Sequence, residues 1–178
     1  MKKRIIAAIL AAAMALALTA CGGTAGKTEQ KPIAPLTEAD LSFIFVETGN
    51  TAIAIGMTGA QIEENFGVTM EGLQNWTGDD IDIFCLPSLS EEGESTLVHA
   101  GINGVSDKLM TPRGIVVGDT MDDVIAAYGE PSETDVTYNR ARRTSSERMI
   151  YKREGIEARL TFEVSREGVV EAIYILTY

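Results

Sequence analysis

The sequence predicts an α+β fold of two tandem repeats, each a short helix (or helical hairpin) followed by an antiparallel β-meander. Residues 55–67 align with residues 117–129 at a constant offset of 62 positions, which indicates a duplicated unit. After each copy the chain alternates apolar and polar residues over short stretches, a pattern typical of half-buried strands. Glycine-containing turns separate these stretches. An antiparallel sheet with one face exposed to solvent is therefore expected after each helix.

Both predicted helices begin at a residue whose side chain can cap the helix. Thr58 and Thr120 are expected N-caps, because a threonine hydroxyl can accept hydrogen bonds from the first backbone N–H groups of a helix. Gln61 follows Thr58 by three residues, the spacing of a capping box. Asp123 takes that place in the second copy and puts negative charge at the positive end of the helix.

Both helices are also expected to end at a glycine. Gly67 and Gly129 fit the left-handed position that closes a helix, and Pro131 prevents the second helix from continuing. The second helix has a full apolar face, made of Met121, Val124, Ile125 and Tyr128. Gly59 and Glu63 stand at two of those places in the first copy, so a narrower buried stripe is expected there.

The strands are expected in matching order after each helix. They are 81–86, 96–102 and 105–110 in the first copy, and 149–151, 158–164 and 173–176 in the second. The alternation over 157–164 puts Ala158, Leu160, Phe162 and Val164 on one face and Arg159, Thr161 and Glu163 on the other. A further strand, 41–46, is expected at an edge, and residues 139–147 are expected to form a polar insertion.

The first 21 residues predict export and a lipid anchor. A basic start, an apolar run over 5–18 and small residues before a cut site form a secretory signal peptide. The segment Leu18-Thr19-Ala20-Cys21 resembles the lipobox of bacterial lipoproteins. That resemblance implies diacylglyceryl transfer to the Cys21 sulfur, cleavage before Cys21 and acylation of the new amino terminus. A plain signal peptide or a membrane-spanning anchor is the alternative, although a span needs about 20 apolar residues.

This organisation predicts four segments. Residues 1–20 are the signal peptide and 21–37 a flexible tether rich in Gly, Thr, Lys and Pro. Residues 38–112 and 113–178 are the first and second repeats. The expected location is the cell membrane, on its extracytoplasmic side, with the membrane contacted through the lipid on Cys21.

The charge distribution excludes nucleic acid as a partner. Without the three basic residues of the signal peptide, 12 basic residues remain against 26 acidic ones, a formal charge of −14. Phosphate contacts need clustered Lys and Arg. Residues 140–166 are the exception, with eight basic residues against four glutamates. They form either a solvated surface that balances acidic neighbours or a basic patch that receives an acidic partner.

No residue pattern predicts catalysis, a metal site or a cofactor. His99, the single histidine, lies in an alternating strand without a nucleophile signature nearby. Asp79, Asp80 and Asp82 lack the spacing and the glycine of a calcium loop. Cys85 is expected to be a buried thiol, since no basic residue close in sequence would lower its pKa. The sequence therefore predicts a protein that is not an enzyme.

The helix element itself resembles a known family. The pattern Gly-x-Thr-x-x-x-Val-x-x-x-Tyr-Gly-x-Pro over 118–131 resembles the small outer-membrane assembly lipoproteins of the BamE (SmpA/OmlA) type. In tandem, with a sheet after each helix, it is similar to the β-lactamase-inhibitor-protein-like fold. The segment 111–115 also resembles a lead-in found in bacterial lipoproteins. The resemblance implies architecture, because the positions it shares are caps, glycines and core residues.

A protein-binding surface is the most concrete functional prediction. If Ile173 and Ile175 face the core, the alternate residues of that strand face outward, and neighbouring strands bring cations to the same face. The candidate binding residues are Arg148, Lys152, Arg159, Tyr174 and Tyr178. Arginine and tyrosine are enriched where proteins meet. The competing interpretation is that this face packs against the other repeat.

The sequence thus predicts a membrane-anchored, non-catalytic module with a protein partner. One alternative is an inhibitor-type module that docks its sheet on an envelope or secreted enzyme, as the resemblance to β-lactamase-inhibitor proteins implies. The other is an envelope enzyme or a solute-binding protein.

Overall fold

Two antiparallel sheets and two short helices make up the described part of the chain, which confirms the α+β class. The computed structural model describes residues 33–67, 75–78, 81–87, 95–104, 107–139 and 144–177. Of these, 75–78, 81–87, 95–96 and Asn139 are described by their backbone alone. Cys21, Tyr178, Asp79, Asp80 and the 105–106 part of a predicted strand lie outside the described residues. None of the described helices is long and apolar enough to cross a membrane.

The described elements follow one another in a regular order. A short 3-10 helix (Glu38–Asp40) precedes β1 (Ser42–Phe45), β2 (Thr51–Ala54), α1 (Gly59–Phe66), β3 (Asn75–Gly78), β4 (Ile81–Pro87) and β5 (Ser95–Ile102). Then come β6 (Leu109–Met110), α2 (Met121–Tyr128), β7 (Glu133–Asn139), β8 (Thr144–Lys152), β9 (Ala158–Val164) and β10 (Val170–Thr177).

The strands form a small sheet and a large one. The small sheet has the order β2-β1-β6, and the large sheet has the order β3-β4-β5-β10-β9-β8-β7. Every strand pair is antiparallel. In the large sheet β3, β4 and β5 are neighbours in chain order, as are β7, β8, β9 and β10, and β5 pairs with β10.

The hydrophobic core lies on one face of the large sheet. Ala158, Leu160, Phe162 and Val164 are buried there, as predicted from their alternation. Ile173 and Ile175 of the neighbouring strand belong to the same core, together with Ile62 of α1, Val124 of α2 and Phe43 of the small sheet. We call this face of the large sheet the inner face and the opposite one the outer face.

Both helices begin with the predicted capping box. In α1 the Thr58 hydroxyl accepts from the Gln61 N–H at 3.3 Å, while the Gln61 side-chain oxygen accepts from the Thr58 N–H at 2.9 Å. In α2 the Asp123 carboxylate plays the part of the glutamine and accepts from the Thr120 N–H at 3.0 Å. The two caps therefore satisfy the same backbone donors with different side chains.

The two helices end differently, which corrects one prediction. Gly67 adopts the left-handed conformation, with φ 63° and ψ 32°. Gly129 also has a positive φ, 81°, but its ψ of −166° lies far from the left-handed helical region. That combination is accessible to glycine almost alone. The backbone therefore leaves α2 extended and runs into Pro131 and β7.

Two strand predictions also need correction. The strand predicted over 41–46 at a sheet edge is β1, and it lies in the middle of the small sheet between β2 and β6. Of the predicted polar insertion over 139–147, Asn139 ends β7 and residues 144–147 begin β8, while 140–143 lie outside the described residues. The composition of residues 144–147 is polar, and composition alone does not separate a strand of this kind from a loop.

Arg113 forms hydrogen bonds both to residues 34–40, near the start of the described chain, and to the last turn of α2. Its Nε and Nη2 donate to the two carboxylate oxygens of Asp40, each at 2.7 Å. The other guanidinium N–H groups donate to the main-chain oxygens of Ala34, Pro35 and Ala127 at 2.9–3.1 Å. All five N–H donors of the guanidinium are thus used.

Aromatic rings line the other side of this arginine. The guanidinium carbon lies 4.7 Å from the centroid of the Tyr128 ring, a cation–π distance. Tyr128 packs in turn on Tyr151 and Phe162, with ring centroids 5.5 and 5.4 Å away. The Tyr151 hydroxyl donates to the Gly129 carbonyl oxygen at 2.9 Å. The end of α2 is therefore held by aromatic packing and by hydrogen bonds together.

Candidate functional site

The strand register collects chemically varied side chains on the outer face of the large sheet. Residues directly opposite each other in an antiparallel pair share a face. Arg148 on β8 lies opposite Glu163 on β9, and Lys152 lies opposite Arg159. On β10, Leu176 lies opposite Arg159 of β9 on one side and His99 of β5 on the other. Four strands thus contribute to one surface.

An open groove of about 260 Å³ runs across the centre of this face. It is lined by His99, Arg148, Ile150, Arg159, Thr161, Glu163, Tyr174 and Leu176. We call it the outer groove. Its volume falls just below the usual range of pockets for small molecules, about 300–1,000 Å³. It is large enough to receive a single side chain.

Tyr174 lies flat across Gly101 at one wall of the outer groove. A Cβ atom added to Gly101 would stand 2.6 Å from Cδ1 and 2.8 Å from Cε1 of the tyrosine ring. Glycine at this position therefore permits the close approach of the ring to the sheet. The ring also meets His99 edge to face, with centroids 5.6 Å apart and an interplanar angle of 72°. The two aromatic groups form one continuous wall.

Arg148 is held in place by an acid of the neighbouring strand. Its Nε and Nη2 donate to the two oxygens of Asp135 on β7. These hydrogen bonds from Arg148 hold the pKa of Asp135 below its usual value, and they raise the pKa of Arg148. The two side chains remain 34% and 45% exposed, so water screens the pair. Arg148 therefore presents a guanidinium plane of fixed orientation at the groove.

Lys152 shares the outer face but does not line the outer groove. Its Nζ lies 2.6 Å from Oε1 of Glu133 on β7. Each described cation of β8 is thus matched by an acid of β7, as expected for a surface that balances acidic neighbours. The local charge is close to neutral here, which argues against a strongly basic patch at this strand pair.

Thr161 lies at the floor of the outer groove. It is 4% exposed, and its hydroxyl oxygen has no hydrogen-bond partner among the described residues. Neighbouring Ile150 is equally buried on the same face. The floor is therefore largely apolar, while the charged groups stand at the rim. An arrangement of this kind excludes water around a bound group and orients it by polar contacts.

The structure brings together three of the predicted binding residues. Arg148, Arg159 and Tyr174 line the outer groove, and Lys152 lies beside it. Tyr178 lies outside the described residues. Sequence reasoning missed Ile150, His99 and Gly101 as parts of this face. Their alternation was visible, but only the pairing of β5 with β10 brings His99 and Gly101 to Tyr174.

The described residues also bear on the predictions about chemistry. No three His, Cys, Asp or Glu side chains among them are placed to share a metal ion. His99 lies in β5 and lines the outer groove, where its ring packs on Tyr174. The strand that contains Asp82 and Cys85 is described by its backbone alone.

No model of a known protein family matches the chain, and no curated protein matches it either. Among solved structures the chain is similar to a DUF4309 family protein, YjgB, from Bacillus subtilis. The match covers 68% of this chain and 78% of that one, at 14% sequence identity and a TM-score of 0.40. A likeness of this degree supports no conclusion about function.

Proposed function

We propose that this protein is a membrane-anchored extracytoplasmic lipoprotein that acts as a non-catalytic protein-binding module. The outer groove carries the proposal, because Tyr174, Arg148 and Arg159 surround one open cavity. Tyrosine and arginine dominate binding energy at protein interfaces, above all in pockets from which water is excluded. The volume suits one inserted side chain better than a larger ligand. The lipobox-like segment ending at Cys21 supports the anchor.

We also propose that the fold is a tandem repeat of helix-plus-sheet units, as in the families that the helix element resembles. The two helices, Gly59–Phe66 and Met121–Tyr128, keep the offset of 62 residues at both ends. At nearly the same offset, β4 corresponds to β8 and β5 to β9. The order of the large sheet is consistent with two meanders placed edge to edge.

An inhibitor-type module is the second form of the same proposal. A sheet face with an aromatic wall and a rim of charged groups is also suited to docking on the surface of an enzyme. The two forms differ in what the partner does. An inhibitor would lower the activity of the protein it captures, and a simple binding module would leave that activity unchanged.

Photo-crosslinking from the groove tests the binding proposal. A benzophenone amino acid replaces Leu176, which lines the outer groove, in the full-length protein in its native membrane. The same probe replaces the exposed Val46 as a control at the small sheet. We expect a discrete adduct from position 176 and none from position 46. Equal or absent adducts at the two positions would contradict the proposal.

Three variants sharpen this test. Arg159→Ala removes a cation of the groove, whereas Lys152→Ala removes the cation directly opposite it, which does not line the groove. Gly101→Ala pushes the ring of Tyr174 toward the cavity without changing any charge. We expect Arg159→Ala and Gly101→Ala to weaken the adduct and Lys152→Ala to preserve it. A uniform effect of all three would place the contact elsewhere on the face.

The anchor is tested separately. Labelled palmitate should be incorporated into the wild-type protein, and the protein should sediment with membranes. Cys21→Ser should abolish both the label and the sedimentation. A labelled Cys21→Ser protein would show that the lipid is attached elsewhere or that the label reports another modification.

A further inference from the structure

Strand β7 is an open edge of the large sheet. In the described sheet it is the last strand and pairs only with β8. The pairing runs without a bulge from Glu133 opposite Ile150 to Asn139 opposite Thr144. An edge strand presents unpaired backbone N–H and C=O groups to any strand that approaches it. Proteins usually protect such edges with proline, charged side chains or a bulge. Strand β7 has no proline and no bulge, and its two charged residues, Glu133 and Asp135, are neutralised by Lys152 and Arg148 of β8.

The distal half of β7 extends past the rest of the sheet. Strand β8 begins at Thr144, but its pairing with β9 begins only at Glu147, opposite Val164. Residues 144–146 and their partners on β7 therefore form a two-stranded ribbon. An isolated ribbon of two strands is marginally stable in water. Here the buried Ser146 donates to Glu171 of β10 at 2.8 Å and supports the outer side of the ribbon, whereas the free edge of β7 has no partner strand in the described sheet.

Strand β7 also carries the most exposed large apolar side chains of the described residues, one next to the ribbon and one within it. Val136 is 74% exposed and Tyr138 is 57% exposed. The register places them on the inner side of the sheet, in line with buried Met149, but beyond the reach of the core. An exposed apolar pair on an open edge marks an interaction surface.

We propose that β7 pairs antiparallel with β7 of a second copy of this chain, about a twofold axis through Val136. This register places Val136 opposite its own symmetry mate and Thr134 opposite Tyr138. Cross-strand pairs of β-branched and aromatic residues stabilise a sheet. The apolar side chains that water surrounds in one copy are thus covered in the pair.

The positions of the two acids of β7 favour this register and are compatible with a second copy of the chain as the partner. Glu133 falls opposite Asn139 and Asp135 opposite Thr137, so no carboxylate faces another directly. Within each copy, Glu133 is already bridged by Lys152 and Asp135 by Arg148. A shift of two positions toward Glu133 would place Asp135 opposite its own mate, where like charges destabilise the pair. A shift of two positions the other way would leave Glu133 and Thr134 without partners on β7. The pairing uses the sheet edge and leaves the outer groove open, so it stands apart from the proposed binding function.

Cysteine crosslinking in membranes tests the self-pairing. Val136→Cys is introduced into the full-length protein with Cys85→Ala, and membranes are oxidised briefly before a non-reducing gel. Opposed residues on paired strands lie about 4.5–5.5 Å apart at Cα, within reach of a disulfide. Thr134→Cys alone serves as the matched control, because two copies of residue 134 would lie about 13 Å apart along the ribbon. We expect a dimer from position 136 and little from position 134.

A mixed experiment fixes the register. Thr134→Cys and Tyr138→Cys, carried on differently tagged copies, should crosslink to each other when expressed together. Val136→Lys should abolish this heterodimer while the circular dichroism spectrum stays unchanged, since it places two lysines face to face at an exposed site. Absence of a dimer at position 136 would overturn the proposal, as would equal dimers at positions 134, 136 and 138. An adduct with a different protein would assign the edge to another partner and overturn self-pairing as well.

Discussion

Replacement of Arg113 should be among the most destabilising single changes in the described part of the chain. Arg113→Ala removes five hydrogen bonds and leaves the Asp40 carboxylate without its cation. The pair is well shielded, with side-chain exposures of 17% for Arg113 and 5% for Asp40. Removal of one partner from a buried, hydrogen-bonded ion pair costs about 3–5 kcal/mol, because the remaining charge stays buried. We expect a loss in the free energy of unfolding of this size.

The chain provides its own control for this prediction. Arg148 and Asp135 form a bidentate pair of the same chemistry on the outer face, but both side chains are about a third exposed or more. An exposed pair contributes about 0–1 kcal/mol, since water and salt screen it. Arg148→Ala should therefore cost much less than Arg113→Ala, although each variant removes the same side chain from a bidentate contact with an aspartate.

Equilibrium unfolding in urea measures both losses. The Cys21→Ser background prevents lipid attachment and does not touch the residues that the structure describes. In a protein of this size the Arg113→Ala loss corresponds to a fall in Tm of about 10 °C. A double-mutant cycle with Asp40→Ala isolates the coupling between the two side chains. Equal costs for Arg113→Ala and Arg148→Ala, or a negligible coupling energy, would refute the argument from burial.

Three further predictions concern the same region and the second helix. Burial works to raise the pKa of Asp40, but hydrogen bonds from Arg113 and Thr37 outweigh it and hold the pKa below its usual value. The contribution of this carboxylate to the free energy of unfolding is thus present above the pKa of the unfolded state and is lost as pH falls through the pKa of the folded state. An acid titration followed by fluorescence should therefore show a smaller loss of stability for Asp40→Asn than for the wild type. Burial raises the pKa of Tyr128 to about 12. The contribution of its neutral hydroxyl to the free energy of unfolding is therefore complete below pH 10 and is lost toward pH 12, and Tyr128→Phe should reduce that alkaline loss of stability in an absorbance titration. Thr120→Ala removes the cap of α2 and should lower the free energy of unfolding in urea by about 1 kcal/mol.

The sequence predicted the features that depend on neighbouring residues. The capping boxes of both helices follow from a threonine and its partner three positions later, and both are present. The inner face of β9 follows from strict alternation over 158–164. These two predictions agree with the structure because helix caps and strand alternation depend on residues only a few positions apart, and tertiary contacts do not override them here.

Features that depend on distant contacts were not predictable in the same way. The edge position expected for strand 41–46 was wrong because β6, which pairs with β1, comes more than 60 residues later. The wall of the outer groove depends on Gly101, which lies 73 residues before Tyr174 in the chain. Nothing in the neighbourhood of either residue indicates that pairing. Arg148 and Tyr174 were predicted to share a face, whereas the cavity between them follows from the four-strand register.

The sequence shows that Arg113 is an isolated cation in an acidic segment, but it does not show which acid it contacts. Residues 27–139 carry 20 acidic side chains and only four basic ones, of which Arg113 is the single arginine. In such a strongly acidic segment an isolated cation is attractive to many carboxylates, so its sequence position alone does not identify the partner. The guanidinium has five donors in a rigid plane, and it can satisfy all of them only where main-chain carbonyl oxygens converge. The end of α2 and the Ala34–Pro35 segment provide that convergence, and Asp40 follows because its short helix directs it to the same point. The choice among the acids is therefore made by backbone geometry, and charge then stabilises the contact that the geometry permits.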